Sequence, residues 1–129
     1  MSTGGTFCTA INCMDGRTQE PVITYMKKRF GTQYVDTITE PGPNRIVAEK
    51  EPSHLFDSIL SRTAISVHKH GSQAIALVGH HDCAGNPCEY QRQIAQLRQG
   101  VAHLRSAYPA LTVIGLWLDQ TWTVSEVKC

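Results

Sequence analysis

Residues 74–79 (AIALVG) form an unbroken apolar run of strand length, and this run constrains the fold more than any other segment. A strand that is apolar throughout must be covered on both faces, which is typical of a parallel sheet lying between helices. Strand-like and helix-like segments alternate along the rest of the chain. We therefore predict an α/β fold: a mostly parallel sheet of about four strands, with helices on both faces and a C-terminal hairpin strand.

The other predicted elements follow from apolar periodicity and from turn residues. Pro21 suits the first turn of a helix that Gly31 ends. Ser53 is expected to cap a second helix, which should stop near Gly71. Residues 40–44 (EPGPN) have the composition of a loop. The predicted strands cover residues 7–12, 34–39, 74–79, 111–118 and 121–127. The first helix is predicted over residues 21–30, and a third helix over residues 86–107.

Composition and charge exclude several classes of protein. The chain has 129 residues, which fits a single domain over residues 1–129, and its net charge of +1 offers no basic stripe for nucleic acid. There is no apolar run long enough for a transmembrane helix, and the first 13 residues do not read as a signal peptide. We therefore predict a cytoplasmic protein, in which five cysteines indicate metal binding or catalysis rather than disulfides.

Two segments with reactive side chains begin where predicted strands end. These are residues 13–17 (CMDGR) after the first strand and residues 79–85 (GHHDCAG) at the end of the third. In parallel sheets, ligands bind beyond the carboxyl ends of the strands where strand order reverses. His80 and Cys83 lie three residues apart on one turn, and Cys13 can come from a neighbouring strand. Two thiolates and an imidazole suit zinc, and three protein ligands with one open position is the catalytic arrangement.

These segments also carry a resemblance to a known family. Residues 13–17 resemble the Cys-x-Asp-x-Arg motif of β-class carbonic anhydrases, and residues 80–83 (HHDC) resemble that family's His-x-x-Cys motif. Residues 115–119 (GLWLD) are similar to the family's late strand. Both motifs occur in the family's order, and the resemblance extends over most of the chain.

The resemblance implies zinc as cofactor and small molecules as substrates. It implies reversible hydration of CO₂ to bicarbonate by a zinc-bound hydroxide, in a homodimer or higher homo-oligomer. The charge and hydropathy patterns predict no nucleic-acid or membrane partner. Arg17 would hold the Asp15 carboxylate by a bidentate pair beside the metal, and released Asp15 could instead close the fourth zinc position. The implied zinc ligands are Cys13, His80 and Cys83, and the implied substrate-binding residues are Gly42, Asn44 and Gly85.

Two departures from the family pattern motivate alternatives. The family usually has Arg-Asn-Ala-Gly after its second strand, where this chain has residues 40–44, and Ala84 stands where the family usually has Gly. One alternative is hydrolysis of carbonyl sulfide or carbon disulfide at the same site. Another is a zinc-stabilised binding or regulatory module without turnover.

Several neighbouring residues have two possible roles. Cys88 could close the site as a fourth ligand, which would make it structural, or belong to the start of the following helix. His81 and Asp82 could shuttle protons, but as turn residues they are expected to face solvent. Trp117 and Trp122 could be core residues or part of a dimer face.

Overall fold

The computed structural model describes residues 5–129. Residues 1–4 lie outside the described residues. They are part of the predicted domain and of the 13-residue N-terminal segment that does not resemble a signal peptide. The described part contains these elements in chain order: β1 (Phe7–Cys13), α1 (Gly16–Phe30), β2 (Tyr34–Glu40), α2 (Pro43–Glu49), α3 (Ser53–Lys69), β3 (Ala74–His80), α4 (Tyr90–Ala107), β4 (Thr112–Leu118) and β5 (Val124–Val127).

The strands form one five-stranded sheet in the order β2-β1-β3-β4-β5. The first four strands are parallel, and β5 pairs antiparallel with β4. The predicted fold, including the hairpin strand, is confirmed. The chain passes from β1 outward to β2 and then returns to place β3 on the other side of β1, so strand order reverses between β1 and β3. Such a reversal leaves a crevice at the carboxyl ends of the two strands.

Helices cover both faces of the sheet, as predicted. Every residue of β3 is buried, and its side chains alternate between two apolar clusters. Ile75 and Leu77 pack with residues of α2, α3 and α4 on one face, whereas Ala76 and Val78 pack with Val22 of α1 on the other. Within residues 5–129 the structure contains no helix of the length and apolar character needed to cross a bilayer.

The first helix begins five residues earlier than the predicted start at Pro21. The Asp15 carboxylate accepts the backbone N–H of Arg17 and so caps α1, which starts at Gly16. Pro21 therefore lies inside the helix and not in its first turn. The prediction of the helix end was correct, because Gly31 adopts the left-handed conformation that ends α1.

The predicted loop at residues 40–44 is wrong for most of its length. Glu40 is the last residue of β2, and α2 already begins at Pro43, where a proline suits a helix start. Only Pro41 and Gly42 connect the two elements, and Gly42 takes the left-handed conformation with a φ of 65°. Loop-forming composition here marks one tight turn and the helix start that follows it.

Three other predicted boundaries shift for local reasons. Ser53 is the first residue of α3 rather than its cap, since the Pro52 carbonyl accepts the first helical hydrogen bonds. The last long helix begins at Tyr90 and not at Asn86, whose N–H bonds the Cys83 carbonyl in a turn. The final strand begins at residue 124 rather than 121, because the preceding residues form the β4–β5 turn.

Two loops pass each other closely at the carboxyl edge of the sheet. A Cβ atom added to Gly85 would lie 2.6 Å from the Pro41 carbonyl carbon, which is backbone and cannot rotate away. A Cβ atom added to Gly42 would meet the Asn86 Cβ atom at 2.8 Å. The β2–α2 turn and the β3–α4 loop therefore pack without side chains between them.

We expect Gly85→Ala to lower the free energy of unfolding by about 1–3 kcal/mol, because the added methyl group must push the two loops apart. Urea unfolding of the purified proteins measures the change. Gly16→Ala is the matched control, since a Cβ atom there meets nothing within 4 Å. Equal stability of the two variants would show that the loops are not packed as described.

Candidate metal centre

Three metal-binding side chains converge where strand order reverses. Cys13 is the last residue of β1, His80 is the last residue of β3, and Cys83 follows on the next turn. One donor atom from each lies within 4.8 Å of the other two, the two sulfur atoms are 3.9 Å apart, and all three side chains are buried. Among residues 5–129 this is the one cluster of three or more His, Cys, Asp or Glu side chains placed for a metal ion.

The His80 imidazole is oriented for metal binding. Its Nδ1 atom lies 2.7 Å from the His81 carbonyl oxygen, which can only accept a hydrogen bond, so Nδ1 carries the proton. A neutral ring then has its lone pair on Nε2. Nε2 is buried without a hydrogen-bond partner, and a buried polar atom left unpaired is costly. A metal ion coordinated by Nε2 would remove this cost.

The two thiols share one proton unequally. The pKa of Cys13 is lowered, mainly by the hydrogen bond between its sulfur and that of Cys83, and further by His80 and the N–H groups of Gly42 and Asp15. The pKa of Cys83 is raised, since it holds the proton that it donates to Cys13 and is itself buried. The site therefore already stabilises one thiolate, and a dication would favour the second.

The donor set fits zinc. Thiolate sulfur and imidazole nitrogen are the ligands that zinc prefers in proteins, and three of them leave one coordination position for water or substrate. Burial lowers the pKa of His80, but the neighbouring Cys13 sulfur and the His81 carbonyl raise it overall. A bound dication would neutralise the charge of the Cys13 thiolate. Its own positive charge would then favour the neutral form of His80, which is the form that coordinates a metal.

Asp15 and Arg17 form the bidentate pair expected from the sequence. Arg17 Nη2 donates to Asp15 Oδ2 at 2.7 Å, and Arg17 Nε donates to Asp15 Oδ1 at 3.1 Å. This guanidinium, together with the N–H group of Arg17, lowers the pKa of Asp15 from 3.8 to about 2. Asp15 is thus ionised at neutral pH, and both of its oxygen atoms are held by Arg17.

Arg17 also contacts two residues whose roles the sequence left open. Its Nη1 atom donates to Asp82 Oδ2 at 3.3 Å, and Nη2 donates to the Asp82 carbonyl at 3.2 Å. Its guanidinium lies 4.4 Å from the centre of a Trp122 ring. Asp82 is exposed, as predicted for a turn residue, but it also joins the β3–α4 loop to Arg17. Sequence reasoning missed this contact because its partners lie 65 positions apart.

Two of the three residues predicted to bind substrate, Gly42 and Gly85, lie beside the cysteines. The Gly42 N–H group is directed at the Cys13 sulfur, and the Gly85 N–H group is directed at the Cys83 sulfur. Asn44 is buried on α2, facing α4. The two glycines thus lie next to the metal ligands, whereas the Asn44 amide bonds to side chains of α4. A role of these three residues in substrate binding stays a prediction.

A buried cluster of amide side chains lies behind His80. Gln93 Nε2 donates to the His80 carbonyl at 3.0 Å, and Gln93 Oε1 accepts from Asn44 Nδ2 at 2.8 Å. Asn86 Nδ2 donates to Gln96 Oε1 at 2.6 Å. The cluster ties α2, the β3–α4 loop and α4 to the end of β3. Sequence reasoning missed Gln93 and Gln96, although two glutamines among the apolar residues of one helix face were a signal.

The two departures from the family pattern have simple structural outcomes. The Glu40 carboxylate pairs with the Arg62 guanidinium of α3, so the acid in this position is neutralised. Ala84 is exposed on the β3–α4 loop.

Cys88 lies two positions before α4, and its sulfur bonds Asn86 Oδ1 at 3.4 Å. It is not among the three clustered metal ligands.

Comparison with protein families identifies the chain. A family model described as "Putative carbonic anhydrase" matches residues 3–128. The chain belongs to this family. None of the curated protein sequences compared with the chain matches it.

Solved carbonic anhydrase structures share the fold. The carbonic anhydrase of Streptococcus mutans is 17% identical, with a TM-score of 0.64 over 94% of this chain and 81% of that one. The Glaciozyma antarctica enzyme is 13% identical, with the same score and coverage. One of the tetrameric β-carbonic anhydrases of Sordaria macrospora is 16% identical, with a TM-score of 0.63 over 98% and 83%. The fold is therefore that of the β-carbonic anhydrases.

Family membership and fold together support a carbonate dehydratase-like lyase. β-Carbonic anhydrases use zinc, and Cys13, His80 and Cys83 are placed in this chain to bind it.

The lowered pKa of Asp15 predicts a pH-dependent contribution to stability. Because the pKa is about 2 in the folded protein and about 3.8 when the chain unfolds, ionised Asp15 stabilises the fold above about pH 4, and this stabilisation is lost toward pH 2. Asp15→Asn keeps a side chain that can cap α1 but removes the charge. Relative to the unmodified protein, we expect the Asp15→Asn variant to lose more free energy of unfolding at about pH 6 than at about pH 3. Urea unfolding with a chelator present measures this difference.

Asp57→Asn, at an exposed position of α3, is the control and should cause no comparable change at either pH. If Asp15→Asn cost the same at both pH values, the ion pair with Arg17 would not be the source of the stabilisation.

Proposed function

We propose that the chain catalyses the reversible hydration of CO₂ to bicarbonate, with zinc held by Cys13, His80 and Cys83. The observation that carries this proposal is the convergence of two cysteines and an imidazole beside an ionised carboxylate that Arg17 holds in place. Bound zinc supplies Lewis acidity, which makes water a good nucleophile near neutral pH.

Residues next to the metal ligands hold the catalytic groups in position. Arg17 binds both oxygen atoms of Asp15 and thereby opposes its movement onto the metal. The ionised carboxylate keeps free lone pairs with which it can accept a hydrogen bond from water at the open position. The N–H groups of Gly42 and Gly85 stabilise negative charge on the two sulfur atoms. We propose that Gly42, Gly85 and Asn44 also bind substrate, and the position of the two glycines beside the ligand sulfurs supports this role for them.

The alternatives find less support in the structure. The altered stretch at residues 40–44 motivates the sulfur-containing substrates, and the acid in that stretch pairs with Arg62. A closed structural site would need a fourth ligand. Asp15 is held by Arg17, and Cys88 is not in the metal cluster. No observation therefore favours hydrolysis of carbonyl sulfide or carbon disulfide, or a module without turnover.

Further proposals concern the chain as a whole. We propose that residues 1–129 act as a single zinc domain, that the protein is cytoplasmic, and that it works as a homodimer or higher homo-oligomer. Support for the oligomer comes from the structurally similar Sordaria macrospora enzymes, which are described as tetrameric. Light scattering on the zinc-loaded protein measures the oligomeric state, and a monomer would contradict this proposal.

We expect each chain to retain one zinc ion after dialysis, and Cys13→Ala to retain almost none, because two remaining protein ligands bind zinc far more weakly than three. Mass spectrometry of the metal measures the ratio. Cys8→Ala is the matched control, since Cys8 lies on the same strand and bonds Thr32 instead. Cys88→Ala should also keep its zinc; loss of zinc from that variant would support a four-ligand structural site.

We expect the zinc-loaded protein to hydrate CO₂ above the buffer rate between about pH 7 and 9, as measured by stopped-flow with a pH indicator. Asp15→Asn should lower kcat by about 10²–10⁴-fold, because an amide is a much weaker acceptor of a proton than a carboxylate. Zinc content must be the same as in the unmodified protein. An unmodified protein with full zinc and no rate above buffer would refute the proposed function.

A further inference from the structure

Trp122 lies in the β4–β5 turn with an unusual backbone conformation. Its φ is +61°, a region that bulky side chains rarely adopt. Hydrogen bonds hold the turn firmly in this shape. The Trp122 N–H donates to the Asp119 carbonyl, and the Asp119 carboxylate accepts the N–H groups of Thr121 and Thr123. The conformation is therefore built into the turn.

The indole of Trp122 contacts two residues of the metal centre. The Arg17 guanidinium stacks over it at 4.4 Å, which is within the range of a cation–π interaction. The His80 ring lies beside it, tilted by 47°, with ring centroids 5.8 Å apart. One side chain thus joins a metal ligand to the arginine that holds Asp15.

Packing against the apolar core accounts for only part of the Trp122 side chain. The indole is only half-buried at the edge of the apolar cluster on the α1 face. A turn with φ near +60° is best served by glycine or asparagine, which avoid the clash of a Cβ atom with the backbone. Strained residues of this kind concentrate at functional sites, where other interactions maintain them.

Arg17 needs such a support. Its side chain is 47% exposed, so without contacts on its faces it would lose much of its orientation to thermal motion. Asp15 and Asp82 bind its edges, and Trp122 covers a face. The three contacts together leave one orientation of the guanidinium, the one that binds both oxygens of Asp15.

We propose that Trp122 is a positioning residue for the CO₂ hydration reaction, which acts by holding Arg17, and through it Asp15, against the His80 side of the metal centre. This inference rests on the proposed function for its effect on rate. The geometric part, that Trp122 orders Arg17, stands independently of any activity.

The order of Arg17 can be measured by nuclear magnetic resonance on the zinc-loaded protein. The Arg17 Nε–H signal is assigned by its disappearance in Arg17→Lys. In Trp122→Phe, which keeps an aromatic face, its hydrogen exchange should stay within about twofold of the unmodified protein. In Trp122→Leu, which keeps apolar bulk without that face, the exchange should become about fivefold faster. Unchanged exchange in the leucine variant would overturn the proposal.

A second pair of variants separates the ring from the backbone. Trp122→Gly and Trp122→Ala both lack the ring, but only glycine relieves the left-handed strain. We expect the glycine variant to unfold at a higher urea concentration than the alanine variant. Both should show the same loss, about fivefold or more, in kcat for CO₂ hydration at equal zinc content. If the glycine variant were both more stable and much more active than the alanine variant, the role of Trp122 would be merely structural. That result would contradict the proposal.

The two proposals fail in different ways. If the unmodified, zinc-loaded protein shows no hydration of CO₂ while Arg17 exchange still depends on the ring at position 122, the proposed reaction is wrong and the ordering of Arg17 by Trp122 stands. If hydration is present and the leucine and glycine variants match the unmodified rate, the reaction stands and the role of Trp122 is refuted.

Discussion

The reversal of strand order between β1 and β3 is the constraint on which the rest of the structure depends. It places the carboxyl ends of two buried, parallel strands side by side, so that Cys13 and His80 meet although they are distant in sequence. Cys83 joins them because the turn after β3 folds back at once. The apolar layers on both faces of β3 keep these strand ends rigid, and a rigid support is what a metal site needs from its scaffold.

The balance of charge at this edge follows from the same geometry. The sulfur atoms can bring negative charge into a buried region, where unpaired charge is costly, and the Asp15 carboxylate adds negative charge beside it. Backbone N–H groups from two interlocking loops face the sulfurs, and Arg17 pairs with Asp15 and Asp82. A zinc ion would complete the balance. The loops can approach closely enough for this only because Gly42 and Gly85 carry no side chain.

Local sequence signals located most elements and misjudged several of their starts. The motif around Asp15 indicates chemistry beside a metal and does not reveal that the same carboxylate caps α1. Composition predicts a loop over residues 40–44, because it cannot distinguish a loop from a tight turn followed by a helix that begins with proline. Asp15 thus serves two purposes, and residues 40–44 belong to three different parts of the fold, so a pattern with a single meaning captures only part of each.

The sequence by itself determined the fold class and the reactive groups, since the apolar run of β3 requires cover on both faces and the two motifs carry zinc ligands at the ends of strands. Only the tertiary structure decided what surrounds those ligands. The contacts of Arg17 with Asp82 and Trp122, and of Gln93 with His80, join residues from separate elements. Such contacts depend on how helices and loops pack against the sheet, and a linear pattern of residue types contains no record of those distances.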